Sequence, residues 1–232
     1  MPNPTLTPDE ARVLGVLIEK SLTTPNQYPL TLNAAADAAS QKNNRYPVRD
    51  YDDDRVREVM SSLRGKGLVV QVDAAGSRAS KFKHAAAEKL GLNTRELVIL
   101  AELMLRGPQT LGELRGRASR MHPLESLEVV RATLEQLMNR PDPMARQLPP
   151  APGSRAERYA QLLAPDAHAL DAAASSESAP PSQSPGTADP VLADRVSRLE
   201  AQVSMLRAAV AKIAQSLGEP DPTIGGAFDE PS

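Results

Sequence analysis

The chain has 232 residues, with 27 Lys and Arg against 29 Asp and Glu, and it contains no Cys. The absence of Cys excludes disulfide bonds, thiolate metal sites and cysteine nucleophiles. No apolar run reaches the roughly 18 residues of a membrane span and the N-terminus lacks a signal-peptide core, so we expect a cytoplasmic protein without membrane contact. Two Phe, four Tyr and no Trp leave an aliphatic core, which favours small helical domains.

The first 90 residues predict three helices followed by a hairpin. Three consecutive Asp at 52–54 favour the start of the third helix, and Gly65 and Gly67 flank its predicted end. The apolar stretch LVVQV at 68–72 and the segment KFKH at 81–84 then predict two strands joined by a turn. The apolar face of the first helix comprises Val13, Leu14, Leu17 and Ile18.

The same order of elements recurs in the second part of the chain. Residues 10–14 (EARVL) and 96–100 (ELVIL) open apolar-periodic segments that begin 86 residues apart. Each is followed by Pro, by Thr-Leu and a short helix ending in Ala-Ser, and later by a Gly-Ser-Arg-Ala turn. We predict a mainly α fold with small β-wings, in which two tandem winged-helix domains at 1–90 and 91–164 precede a C-terminal coiled-coil helix.

The last part of the chain has a different composition. Residues 165–190 are rich in Pro, Ser and Ala and predict a flexible linker, whereas 219–232 predict a disordered tail. Residues 191–218 carry an unbroken heptad pattern, which predicts a parallel two-stranded coiled coil and therefore a homodimer. The alternative is a helix that folds back onto its own domains. The predicted dimer seam consists of Leu192, Val196, Leu199, Val203, Leu206, Val210, Ile213 and Leu217.

Several long motifs resemble the bacterial YceH family. They are ARVLG and LIEK within 11–20, TTPNQYPL at 23–30, QKNNR and PV within 41–48, LRGPQT and GELR within 105–115, and PGSR at 152–155 with Tyr159. The resemblance covers about residues 5–163. It implies a cytoplasmic tandem winged-helix protein of uncharacterised function, and it supplies no catalytic residues.

Basic and amide side chains on the predicted wings and loops are candidates for contact with nucleic acid. Wing cations can reach phosphates, and Asn, Arg and Lys between the second and third helices can grip or read DNA. The alternatives are solvated turns, a loop whose amides cap helix ends, and an exposed helix face. The candidates are Arg78, Lys81, Lys83, Arg155 and Arg158 in the wings, Lys42, Asn43, Asn44 and Arg45 in the loop, and Arg115, Arg117 and Arg120 around the second helix of the second domain.

Charge and histidine placement narrow the functional prediction. Asp50 and the Asp run at 52–54 would repel phosphates, and a net charge of +2 in each domain is weak for a nucleic-acid binder. His84, His122 and His168 are scattered without metal-ligand spacing, so we expect neither enzymatic activity nor a cofactor. The leading prediction is a dimeric winged-helix DNA-binding protein of regulatory type. The alternative is a protein-interaction scaffold that binds no nucleic acid.

Overall fold

Each half of the described chain contains three main helices followed by a β-hairpin. The structure is a computed structural model that describes residues 3–72, 80–151 and 153–168. In the first half, α1 (Pro8–Thr23), α2 (Leu32–Ala39) and α3 (Asp53–Gly65) precede β1 (Val69–Val72) and β2 (Lys81–His84). After the short helix α4 (Ala86–Leu90), the second half comprises α5 (Thr94–Arg106), β3 (Gln109–Thr110), α6 (Leu111–Ala118), α7 (Leu127–Met138), β4 (Ala145–Leu148) and β5 (Arg158–Gln161).

The two hairpins have the same arrangement. β1 pairs antiparallel with β2, and Leu30 forms an isolated antiparallel bridge with Phe82 of β2. In the second half β5 lies between β3 and β4 and is antiparallel to both. In each half, therefore, a residue or strand just before the second helix pairs with the last strand. This order of small antiparallel sheets and helices is compatible with the predicted winged-helix layout.

Side-chain caps explain where the helices of the first half begin and end. Thr7 and Glu10 form a capping box at α1, in which each side chain accepts a hydrogen bond from the other residue's backbone N–H. The carboxylate of Asp52 accepts from the N–H of Arg55 at 2.7 Å, which confirms the predicted capping of α3. Gly67 follows α3 with φ +71°, the left-handed conformation predicted for this helix end.

Helices α1 and α5 join the two halves. Both are buried along most of their length and pack directly on each other. Gly15 permits this approach, because a Cβ at that position would lie 3.0 Å from Cγ of Leu105. The halves predicted as separate domains consequently share one hydrophobic core. The largest fully buried side chains are Leu14, Leu17, Ile18, Met60, Leu63, Leu68, Ile99, Leu100, Leu103, Leu105, Leu114 and Leu134.

The last described residues pack on the rest of the molecule. Pro165–Ala167 forms a short 3-10 helix, and His168 is buried with its Nε2 2.8 Å from the carbonyl oxygen of Tyr46. Residues 165–168, predicted as the start of the flexible linker, are therefore held in place, because they are packed and hydrogen-bonded as far as His168. The predicted coiled coil with its seam residues, the disordered tail and Arg78 lie outside the described residues.

Candidate nucleic-acid interface

Helix α3 has one buried face and one exposed face. Val56 and Leu63 are fully buried in the core. Arg57, Ser61 and Arg64 are exposed, and their spacings of four and three residues place them along the opposite side of the helix. Towards its C-terminal end, the exposed side of α3 therefore carries positive charge and a hydroxyl group.

Two arginines near the start of α3 are paired with acidic residues. Arg57 forms an ion pair with Asp54, one turn earlier. Arg55 pairs with Asp9 of α1 at 2.6 Å and with Glu58 at 3.2 Å. Burial acts to raise the pKa of Asp9, but the hydrogen bond from Arg55 helps to hold it below its ordinary value. The repulsion of phosphates expected from this acidic turn is thus partly offset by neighbouring cations.

Three exposed cations near the C-terminal half of α3 have no carboxylate within ion-pair distance among the described residues: Arg64, Lys81 and Lys83. Lys81 and Lys83 lie on one face of β2, because Phe82 between them is buried on the other. Lys83 lies opposite Val70 in the antiparallel register, and Val70 lines a groove together with Arg64. We call these three cations the α3–hairpin surface.

Arg45, predicted to contact phosphate, is instead a buried structural residue. Its side chain is 0% exposed and pairs with Glu19 of α1. Its Nε donates to the carbonyl oxygen of Ala38 at 3.1 Å, and its Nη1 donates to that of Asn44 at 2.8 Å. The prediction for Arg45 is therefore corrected: its guanidinium holds the loop between α2 and α3 and is inaccessible to a phosphate.

Arg120 belongs to the same buried charge network, which joins the two halves. It pairs with Glu19 and, at 3.2 Å, with Glu102 of α5. The side chains of these two glutamates are 2% and 0% exposed, so arginines rather than water balance their charge. Arg106 Nε lies 2.9 Å from Glu102 Oε1 as an ion pair without hydrogen-bond geometry. Burial acts to raise the pKa of Glu19, but Arg45 and Arg120 lower it below its ordinary value.

The loop between α2 and α3 presents a small accessible tip. Lys42 and Asn43 are exposed there. Asn44 has φ +66°, and its side-chain oxygen accepts a hydrogen bond from Arg106 of α5. Of the four loop candidates, Lys42 and Asn43 thus remain accessible to a partner, while Asn44 is engaged with the second half.

The basic candidates of the second half are mostly bonded within the protein. Arg115 donates to two backbone carbonyl oxygens of the loop before α7, at 3.4 and 3.1 Å. Arg117 pairs with Glu113 at 3.2 Å. Arg158 is half-buried in the central strand of its sheet, whereas Arg155 is exposed. The structure therefore brings the accessible cations of α3 and β2 together in the first half. The four basic candidates of the second half named above do not form a comparable group of accessible cations.

Sequence reasoning missed Arg64. The signal was present, because Arg64 follows Arg57 by seven residues and falls opposite the apolar positions Val56 and Leu63 on a helical projection. The candidates predicted from the sequence lie in the wings, in the loop between α2 and α3 and around α6, and none of them lies on α3.

Two further classes of feature are missing from the segments that the structure describes. No group of three or more His, Asp or Glu side chains there is placed to hold a metal ion. No helix there combines the length and apolar character needed to cross a membrane.

The fold places the chain among mainly helical proteins with small antiparallel sheets, in an order compatible with a winged-helix-like unit. The model of the family described as "Protein of unknown function, DUF480" matches residues 6–154, and the chain belongs to this family. The expected membership of a family of uncharacterised proteins is thereby confirmed.

Similar proteins extend over most of the chain. A UPF0502 protein of Pelobacter propionicus is 48% identical over 204 residues, which cover 88% of this chain and 91% of the relative. A UPF0502 protein of Geotalea daltonii is 50% identical over 160 residues, covering 69% and 73% of the two chains. One from Shewanella sp. strain MR-7 is 40% identical over 216 residues, covering 91% and 96%. None of these three relatives carries the name YceH.

Proposed function

We propose that the chain is a dimeric winged-helix DNA-binding protein of regulatory type, and that its α3–hairpin surface contacts duplex DNA. The observation that carries the proposal is the grouping of Arg64, Lys81 and Lys83 on α3 and the neighbouring hairpin without a carboxylate partner among the described residues. Exposed cations of this kind can bind DNA phosphates, and contacts with phosphates supply most of the affinity of a protein for DNA. The proposal includes no catalytic activity and no cofactor.

The proposal assigns the two ends of α3 different roles. Arg55 and Arg57 near the N-terminal end are paired with Asp9 and Asp54, so this end carries little net positive charge. The cations that have no carboxylate partner among the described residues lie towards the C-terminal end and on β2. We therefore expect contacts with the sugar–phosphate backbone to dominate, with strong salt dependence and little sequence preference.

The test is a fluorescence anisotropy titration of a labelled duplex with the wild type and with the double variant Lys81→Ala, Lys83→Ala. We expect roughly tenfold weaker binding at low salt and a plot of log K against log salt that is shallower by about 1.8, or about 0.9 for each lost phosphate contact. The melting temperature should barely change, because both side chains are exposed on the outer face of β2.

The matched control is Arg95→Ala, Arg131→Ala, which removes the same charge from exposed positions of the second half. It should bind the duplex as the wild type does, apart from a small uniform effect of net charge. If both double variants weaken binding equally, the contact is general electrostatics and the α3–hairpin surface has no special role. If the wild type binds no duplex at low salt, the DNA-binding proposal is wrong.

A protein-interaction scaffold remains the second candidate, and the exposed face of α7 favours it. Leu127 is 42% exposed there, and its exposed neighbours Glu128, Arg131 and Glu135 carry both signs of charge. Such a mixed apolar and charged face suits a protein surface better than a polyanion. The absence of duplex binding in the titration above would favour this candidate.

The dimer is proposed on the heptad pattern of residues 191–218. A chain truncated before the heptad segment tests this dimer. The truncation should follow His168 rather than Ala164, the predicted end of the second domain, because Ala167 and His168 are packed against the body of the protein. We expect multi-angle light scattering to give a dimer mass for the full chain and a monomer mass for the truncated chain. Replacement of Val203 and Leu206 by Lys should have the same effect, because like charges would be placed in the seam. A truncated chain that stays dimeric would move the interface into residues 1–168.

A further inference from the structure

An open groove of about 550 Å³ lies between the C-terminal end of α3 and β1. It is lined by Ser61, Arg64, Gly65, Val69, Val70 and Gln71. A hydroxyl and a guanidinium are therefore its polar side-chain donors on the helix side, and none of the described residues that line it is a carboxylate. A groove with this lining suits an anionic ligand that can accept hydrogen bonds.

A larger residue could replace Gly65 in this groove without disturbing the fold. It is the last residue of α3, it does not have a positive φ, and a Cβ built on it meets no atom within 4 Å. This distinguishes it from Gly67, whose φ is +71°, and from Gly15, which packs against a neighbouring helix. Glycine destabilises a helix relative to alanine, and what it alone offers here is room for another backbone to come close.

The position of the groove indicates what that other backbone is. The exposed face of α3 borders it on one side, and the hairpin that carries Lys81 and Lys83 borders it on the other. If a helix contacts the major groove of a duplex while a hairpin reaches the adjacent minor groove, one sugar–phosphate strand must pass between them. Arg64, which lines the groove, and Lys83, which lies opposite Val70 in the antiparallel register, supply positive charge for that strand.

We propose that the α3–β1 groove seats a stretch of the phosphodiester backbone of duplex DNA. The guanidinium of Arg64 and the hydroxyl of Ser61 donate to phosphate oxygens, and Gly65 leaves space for the sugar–phosphate chain to lie against the end of α3. This inference rests on the proposed function and assigns its backbone contact to particular residues.

The deciding variant is Gly65→Ala, because fold and binding should respond in opposite directions. Alanine at a helical position raises the melting temperature by about 1–4 °C. In the seat, the added methyl group displaces the phosphate strand, and we expect duplex affinity to fall roughly fivefold or more. Arg64→Ala should weaken binding roughly tenfold and make the salt dependence shallower by about 0.9. Both quantities can be measured by thermal unfolding and by anisotropy titration of the full chain.

Gly116→Ala provides a matched control. Gly116 lies within α6 in the second half, has no positive φ, and a Cβ there also meets nothing within 4 Å, but it does not line the groove. This variant should raise the melting temperature in the same way and leave duplex affinity unchanged.

The outcomes separate the two proposals. Duplex binding that Gly65→Ala and Arg64→Ala leave unchanged would overturn the phosphate seat while the proposed function stands. Duplex binding that falls with Gly65→Ala but not with Gly116→Ala supports the seat. Failure of the wild type to bind duplex would overturn both. A single strand of the same length that competes as well as the duplex would also overturn the seat as stated, because it would remove the need for two flanking grooves.

Discussion

Replacing Glu19 with Ala is expected to lower the free energy of unfolding by about 3–5 kcal/mol, the cost of leaving a buried charge without its partner. Glu19 is the shared counter-ion of Arg45, whose side chain is 0% exposed, and of Arg120, whose side chain is 31% exposed. Removal of the carboxylate leaves the Arg45 guanidinium buried with backbone carbonyls and Gln41 as its remaining partners. Because Arg120 belongs to the second half, the variant also weakens the contact between the halves.

Urea denaturation followed by circular dichroism measures this change. The control is Asp54→Ala, which breaks the ion pair with Arg57 at the start of α3. Both side chains of that pair are more than half exposed, at 87% and 59%, so its loss should change stability little. Arg45→Ala should resemble Glu19→Ala, since either substitution leaves one buried charge unmatched. If Glu19→Ala costs no more than Asp54→Ala, the network does not stabilise the fold.

Acidification from pH 7 to pH 4.5 is expected to destabilise the protein through His168 in particular. Burial lowers the pKa of His168 to about 4 from an ordinary 6.5, despite the opposing effect of its hydrogen bond to the Tyr46 carbonyl. Its Nε2–H donates to that oxygen at 2.8 Å, and its ring stacks on Tyr46. The unfolded chain therefore binds a proton in a range of pH in which the folded chain does not.

The sign and size of the effect follow from this difference. The stability due to neutral His168 is fully present above pH 6.5 and is lost progressively as the pH falls towards 4, by about 3 kcal/mol in all. Burial also lowers the pKa of His84, which adds to the loss in the same direction. The pKa values of Asp9, Glu10 and Glu19 are lowered from 3.8 or 4.5, so their contributions are present above those values and are lost only at lower pH. The histidines thus dominate between pH 6.5 and 5.

His168→Phe isolates the effect, because it keeps an aromatic ring against Tyr46 but cannot be protonated. We expect a modest loss of stability at pH 7 and a clearly shallower dependence on pH between 6.5 and 5, measured by urea denaturation at each pH. His122→Gln, which replaces a half-exposed histidine, is the matched control and should keep the wild-type slope. An unchanged slope in His168→Phe would show that its burial does not govern acid sensitivity.

Local sequence determined most of the secondary structure. Thr7 and Glu10, three residues apart, cap the start of α1, and Asp52 caps the start of α3, because capping depends on neighbours in the chain. The repeated order of three helices and a hairpin was likewise readable, because apolar periodicity reports which face each element buries. These features depend on contacts between residues only a few positions apart.

The fate of the charged side chains was decided by tertiary structure. In the sequence, Arg45 and Lys42 are equivalent members of one basic loop, yet one is buried on Glu19 and the other is exposed. Glu19 lies 26 residues before Arg45, and Arg120 arrives from the other half only when α1 and α5 pack. Hydrophobic patterning positions backbones without specifying which distant carboxylate a guanidinium meets. The sequence by itself therefore determined the helices, the hairpins and their order. Only the folded structure decided which cations are bonded internally and which remain available to a partner, because ion pairing depends on distances between residues far apart in the chain.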